Sequence, residues 1–127
     1  PQIVRNKRDV ADFYGKQLAD SDFIELLPYD KFSSQNSFWV YAVKLRQDIN
    51  IERILQFLDT HGIESRRAFY PINRMPAYKD LKCVSSSVSD DIFASCLCLP
   101  AFPEMSQSEI ERVANKLIDA CLTQTNS

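Results

Sequence analysis

The residues with the most to offer chemically crowd into one stretch: Glu64, Ser65, Arg66, Arg67, Tyr70, Asn73, Arg74 and Tyr78. The guanidinium of Arg66 or Arg67 is a planar, permanently charged fork that fits a phosphate or a carboxylate. Tyr70 and Asn73 can donate or accept beside it, and Tyr78 closes the cluster. Loops at strand ends are where ligand-binding groups are commonly mounted. The plainer reading is a solvated edge with Arg67 and Arg74 in water, since arginines are mostly exposed.

Other chemistries find less support. His61 is the single histidine, placed in the last turn of a helix just before Gly62, where a cationic ring would favour the helix dipole. No motif sets a nucleophile and an orienting carboxylate beside it. One histidine and scattered cysteines make a poor metal site, and two glycines in the whole chain exclude both the dinucleotide fingerprint and the phosphate loop. Cys83, Cys96, Cys98 and Cys121 match neither zinc nor redox spacing. Cys96 and Cys98 sit two apart in an apolar run, which on a strand points both at one face and suits buried free thiols. A reducing cytoplasm is the expected compartment.

The composition agrees. With 127 residues, 45% hydrophobic and 25% charged, the chain is long enough for one core and reads as a single folded domain. A net charge of −2 leaves no cationic excess for a phosphate backbone, so nucleic acid is not an expected partner. No apolar run approaches the roughly 20 residues that span a bilayer, and no signal peptide follows Pro1, so no membrane is expected either. Because Pro1 is not an initiator Met, a processed or truncated piece is expected.

Three helices and about three strands must position these groups. Ile3 to Ala19 reads as a helix with Ile3, Val10, Tyr14 and Leu18 on one face and Phe13 beside them. Phe23 to Leu27 is a short extended or connecting segment, followed by a polar turn from Asp30 to Ser37. Phe38 to Leu45 is the clearest strand and a central one. Asn50 caps a helix from Ile51 to about Thr60, with Gly62 supplying the left-handed stop. Strands follow at Ile63 to Phe69 and Ala94 to Leu99, the serines from Ser85 to Ser89 reading as a loop between them. Ser106-Gln107-Ser108-Glu109 is a capping box, with Met105 and Ile110 as its staple and Val113, Leu117 and Cys121 continuing the apolar face. The fold class is α+β: a small, mostly antiparallel sheet with helices packed mostly on one face.

The stretch Gly62-Ile63-Glu64-Ser65-Arg66-Arg67-Ala68-Phe69-Tyr70-Pro71-Ile72-Asn73-Arg74-Met75-Pro76-Ala77-Tyr78 resembles the C-terminal domain of the DegT/DnrJ/EryC1/StrS family, the pyridoxal-phosphate-dependent nucleotide-sugar aminotransferases. Ser37 to Leu45 is similar to the family's aromatic strand, and Ile49 to His61 to the helix before Gly-Ile. Cys98-Leu99-Pro100-Ala101-Phe102-Pro103 with Met105-Ser106 is similar to its Leu-Pro-x-x-Pro and helix start. Arg5 to Leu27 resembles the end of the linking helix. Nearly the whole chain is covered, and the ordered run of four segments is more specific than any one of them.

The resemblance implies the small domain of a fold-type-I aminotransferase, with residues 1–20 ending the linking helix and 21–127 forming the C-terminal domain. In that family the large domain carries the lysine that bonds the cofactor and most phosphate contacts. None of Lys7, Lys16, Lys31, Lys44, Lys79, Lys82 or Lys116 lies in that context, so no cofactor is expected on this chain and pyridoxal phosphate belongs to the full-length family. Arg66 matches the Arg after Gly-Ile-x-Thr/Ser and Tyr70-Pro71 the Tyr-Pro turn, while Asn73 stands where many members carry His. The expected substrate-binding residues are Arg66, Tyr70, Asn73 and Tyr78. The expected partners are a nucleotide sugar in the full-length context and the missing large domain or a second subunit, with a homodimer possible. A stand-alone binding or protein-interaction module and a self-associating remnant are the alternatives.

Overall fold

A computed structural model of the chain describes residues 1–28, 36–78, 80 and 87–126. In chain order the elements are α1 (Gln2–Leu18), β1 (Ile24–Leu26), β2 (Tyr41–Leu45), α2 (Ile51–Thr60), β3 (Arg66–Arg67), two 3-10 turns (Ile72–Arg74 and Pro76–Tyr78), α3 (Ser87–Ser95), β4 (Cys96–Leu99) and α4 (Gln107–Thr125). The strands form one antiparallel sheet in the order β1-β2-β4-β3. The α+β class holds, with β2 and β4 central.

Cross-strand partners share a face of a sheet, so the register sorts the two sides. Tyr41 opposes Leu99 and Val43 opposes Leu97; Ala42 opposes Cys98 and Lys44 opposes Cys96. The first set joins Leu18, Ile54, Leu58, Ile110 and Leu117 in the main core beneath α1, α2 and α4. The second set faces the other way, where Lys44 pairs with Asp91 of α3 at 2.8 Å. Three helices therefore cover one face and short α3 covers part of the other. Cys96, Cys98 and Cys121 are free and buried, the first two on one face as their spacing requires; Cys83 lies outside the described residues.

Local chemistry sets the helix ends. The Asn50 side chain accepts from the Arg53 N–H at the start of α2, and Gly62 after its end has φ +68°, a conformation that costs other residues free energy. At α4, Ser106 and Glu109 cap each other between buried Met105 and Ile110. Tyr14 ties α1 to the sheet: its ring stacks on Tyr41 with centroids 4.8 Å apart and its hydroxyl donates to the Pro100 carbonyl at 2.8 Å.

Four expectations need correction. The sheet has four strands, because Ile24–Leu26 pairs with β2. The segment expected as a strand from Ile63 to Phe69 pairs only at Arg66–Arg67, being an edge that meets β4 alone. Ser87 and Ser89, expected in a loop, lie within α3, which also takes Ala94 and Ser95 from the expected third strand; Ser85 and Ser86 lie outside the described residues. Ile3, expected on the apolar face of α1, is 62% exposed, since α1 first becomes buried at Val10.

Candidate functional site

The loop before β2 departs from strand geometry at Phe38, whose φ is +47°. Its N–H is held by the Asn36 side chain at 2.8 Å, the Trp39 carbonyl accepts from Lys7 at 2.7 Å, and the Asn36 carbonyl accepts from Arg8 at 2.9 Å. This turn sends Phe38 into the core and leaves Trp39 68% exposed. Trp39 stacks on Phe69, centroids 5.9 Å apart, and the Arg66 guanidinium lies 5.5 Å from the same Phe69 ring.

Beside this aromatic pair opens a cavity of about 500 Å³. Its walls come from Trp39, the Gly62–Arg66 segment after α2, the Pro100–Phe102 loop and the first turns of α4, including Arg112. The Ser65 hydroxyl is buried there and finds no hydrogen-bond partner among the described residues, an orphan whose desolvation is uncompensated. Arg112 donates to the His61 carbonyl. Glu109 also lines the cavity; the Ser106 N–H, and then its hydroxyl, hold this carboxyl below the usual range. Burial raises the Cys98 thiol, against a smaller opposing pull from Arg66, which keeps it protonated and unreactive.

The neighbouring arginines separate by role. Arg67 donates to Glu52 at 2.7 Å and to the Phe93 carbonyl at 3.0 Å, and Arg74 lies 2.9 Å from Asp90, so both are tied into the fold rather than simply solvated. Arg66 is the cation of this stretch that reaches the cavity. Tyr70 packs edge-on against Phe93 at 5.1 Å and lines a second groove of about 340 Å³ on the α3 side of the sheet, floored by Ala42 and Cys98. Asn73 sits half-buried in the first 3-10 turn and Tyr78 exposed in the second; neither lines these two hollows. His61 is a structural cap: Nδ1 lies 2.8 Å from the Phe57 carbonyl, which can only accept, and the ring stacks on Phe57.

Trp39, Phe102 and Arg112 belong to the cavity; the sequence places Trp39 in the strand Phe38 to Leu45 and singles out neither Phe102 nor Arg112 as a site residue. A shift in strand alternation at Phe38 was the missing signal, and nothing local in the sequence announces it.

The sequence profile of the DegT/DnrJ/EryC1/StrS aminotransferase family matches residues 1–118. The chain belongs to that family. DegT/DnrJ/EryC1/StrS proteins depend on pyridoxal phosphate. The GDP-perosamine synthase of Vibrio cholerae is 27% identical to this chain over 121 residues, 90% of the chain but 31% of that protein. Among solved structures, the aminotransferase TlmJ from Streptoalloteichus hindustanus superposes with a TM-score of 0.87 at 22% identity, over 98% of this chain and 33% of its own. Helicobacter pylori PseC, an aminotransferase involved in the biosynthesis of pseudoaminic acid, gives 0.83 at 18%, over 95% and 33%. The chain thus spans about a third of the family members it resembles, and the structural likeness confirms the fold. Among the described residues, no helix is long and apolar enough to cross a membrane.

Proposed function

We propose that this chain is the C-terminal third of a cytoplasmic aminotransferase acting on a nucleotide-linked keto sugar, with residues 1–20 ending the linking helix and 21–127 forming the small domain. The observation that carries the reading is the cavity that gathers Arg66 and the orphaned Ser65 hydroxyl, both on the stretch whose residues resemble the family, with Arg112 of α4. Guanidinium groups and an unpaired hydroxyl suit a diphosphate or sugar hydroxyls. Arg66 is the substrate-binding residue this geometry favours; Tyr70 borders the adjoining groove, and Asn73 and Tyr78 lie outside both hollows.

Pyridoxal phosphate, when bound in a family member, supplies the electron sink for amino transfer. Among the described residues, those at the cavity do not fit it, because none that lines it is a lysine. Lys7 is engaged by the Trp39 carbonyl, Lys44 by Asp91 and Lys116 by Asp119. No cofactor step is assigned to this chain, which by this reading is inactive alone and depends on the rest of the enzyme or on a second subunit. Exposed Ile72, Val88 and Ile92 beside the second groove offer apolar area for that body to cover.

Two measurements test the reading. Amide chemical shifts at Ser65, Arg66 and Arg112 move on titration with GDP-mannose, a GDP-linked sugar; no movement at millimolar ligand overturns it. Incubation with pyridoxal phosphate followed by borohydride reduction leaves the mass unchanged, and a stoichiometric, single-site adduct overturns the assignment of the chemistry to the missing part.

A further inference from the structure

The Phe38 turn seats Phe38 in the core and turns Trp39 outward, although a left-handed bulky residue is conformationally costly. It persists here because Asn36, Lys7 and Arg8 hold its flanks. Its effect is to carry one large aromatic ring out of the core and fix it at the mouth of the cavity. Trp39 meets Phe69 on one side, and at 68% exposure the indole keeps a face open. Phe69 in turn is shared with Arg66, so the open indole and the guanidinium stand one ring apart.

We propose that Trp39 is a stacking platform for the nucleobase of a nucleoside diphosphate, with Arg66 taking the diphosphate and the Ser65 hydroxyl an oxygen of the same ligand. This rests on the nucleotide-sugar reading above and goes further by naming the group that holds the base. An aromatic face, a cation one ring away and an unpaired buried hydroxyl form a set that a purely apolar protein contact would not use. Stacking tolerates any base, because every base offers a π-face. Glu64 and Glu109 line the same cavity; Glu109 is already engaged by Ser106, and Arg66 with Arg112 supplies the positive charge beside the platform.

Trp39 is the chain's single tryptophan, so its emission reports on this position alone. The 127-residue chain is titrated with GDP and with pyrophosphate, which lacks the base, following fluorescence and heat together. GDP quenches Trp39, whereas pyrophosphate binds more weakly and leaves its emission unchanged. Trp39→Leu weakens GDP binding by about 5- to 100-fold without changing pyrophosphate binding; since the residue is exposed, its melting curve stays that of the parent. Heat from GDP at full affinity in Trp39→Leu, without quenching in the parent, overturns the platform and leaves the nucleotide reading standing. No GDP binding by either readout at millimolar ligand removes both. An emission shift that follows protein concentration and ignores GDP overturns the proposal and gives this face to a protein contact.

Discussion

Arg67 provides the sharpest test of how β3, and with it the cavity wall, is held. Its guanidinium makes three contacts of different worth. The ion pair to Glu52 at 2.7 Å involves a carboxylate that is 68% exposed, so its contribution is about 0–1 kcal/mol. The bond to the Phe93 carbonyl at 3.0 Å is partly buried and has a charged donor, worth about 1.5 kcal/mol. The guanidinium also lies 5.2 Å from the Phe93 ring, adding about 0.5–1 kcal/mol. Arg67→Ala is therefore expected to cost about 2.5 kcal/mol and Glu52→Ala about 0.5 kcal/mol. At about 2.1 cal/mol/K of unfolding entropy per residue, these correspond in this chain to melting-point losses of about 9 °C and about 2 °C. Arg67→Lys, which keeps a charge but not the fork, falls between them. Urea and thermal unfolding read all three, repeated in 1 M salt, where the Arg67→Ala loss is expected to persist because its larger parts are not long-range. Equal losses from Glu52→Ala and Arg67→Ala, or a loss from Arg67→Ala that halves in high salt, would refute this apportioning.

Three further outcomes are expected. Tyr14→Phe keeps the stack on Tyr41 but deletes the hydroxyl that serves the Pro100 carbonyl, costing about 1–2 kcal/mol in chemical unfolding; a loss below about 0.3 kcal/mol would show that bond to be inconsequential. Gly62→Ala meets no neighbouring atom within 4 Å but inherits φ +68°, so a loss of about 1 kcal/mol should appear with no change in near-ultraviolet dichroism. Burial pushes the Cys121 thiol up from its ordinary 9.0 to about 11. Between those pH values the unfolded chain gives up a proton that the folded chain keeps, so stability falls as pH rises; unfolding of Cys121→Ala should show a shallower fall across that window, and an unchanged slope would remove Cys121 as a cause.

The parts of the fold that sequence made legible are those with local causes. The caps at Asn50 and Ser106 and the stop at Gly62 are side-chain and backbone chemistry within a few residues, and each stands where its residues put it. The elements that escaped are held by distant partners. Helix α3 is anchored through Asp91 to Lys44 and through Asp90 to Arg74, partners no neighbouring residue reveals, and β1 is three residues long, too short for a period to show. The candidate site divides in the same way. Arg66 was visible because a charged fork beside a strand end is a local pattern, and the family resemblance singled it out. Separating it from Arg67 required Glu52 and Phe93, and finding Trp39 and Arg112 required the turn at Phe38 and the packing of α4 against the end of α2.

The strand order also governs how this chain comes into being. Because β4 lies between β2 and β3, the segments at Tyr41–Leu45 and Arg66–Arg67 have no sheet partner in common until Cys96–Leu99 has been synthesised. At about 5–20 residues per second, the wait between β2 and β4 lasts about 3 to 11 seconds. During that time β1 and β2 can pair as an isolated ribbon, which is marginal in water, with Val43 and Leu45 uncovered. Nascent-chain arrest before residue 96 should therefore yield a protease-sensitive species that recruits chaperones, and release beyond α4 a resistant one. β4 acts as the keystone, and a truncation that removes it leaves only the β1–β2 pair of the sheet.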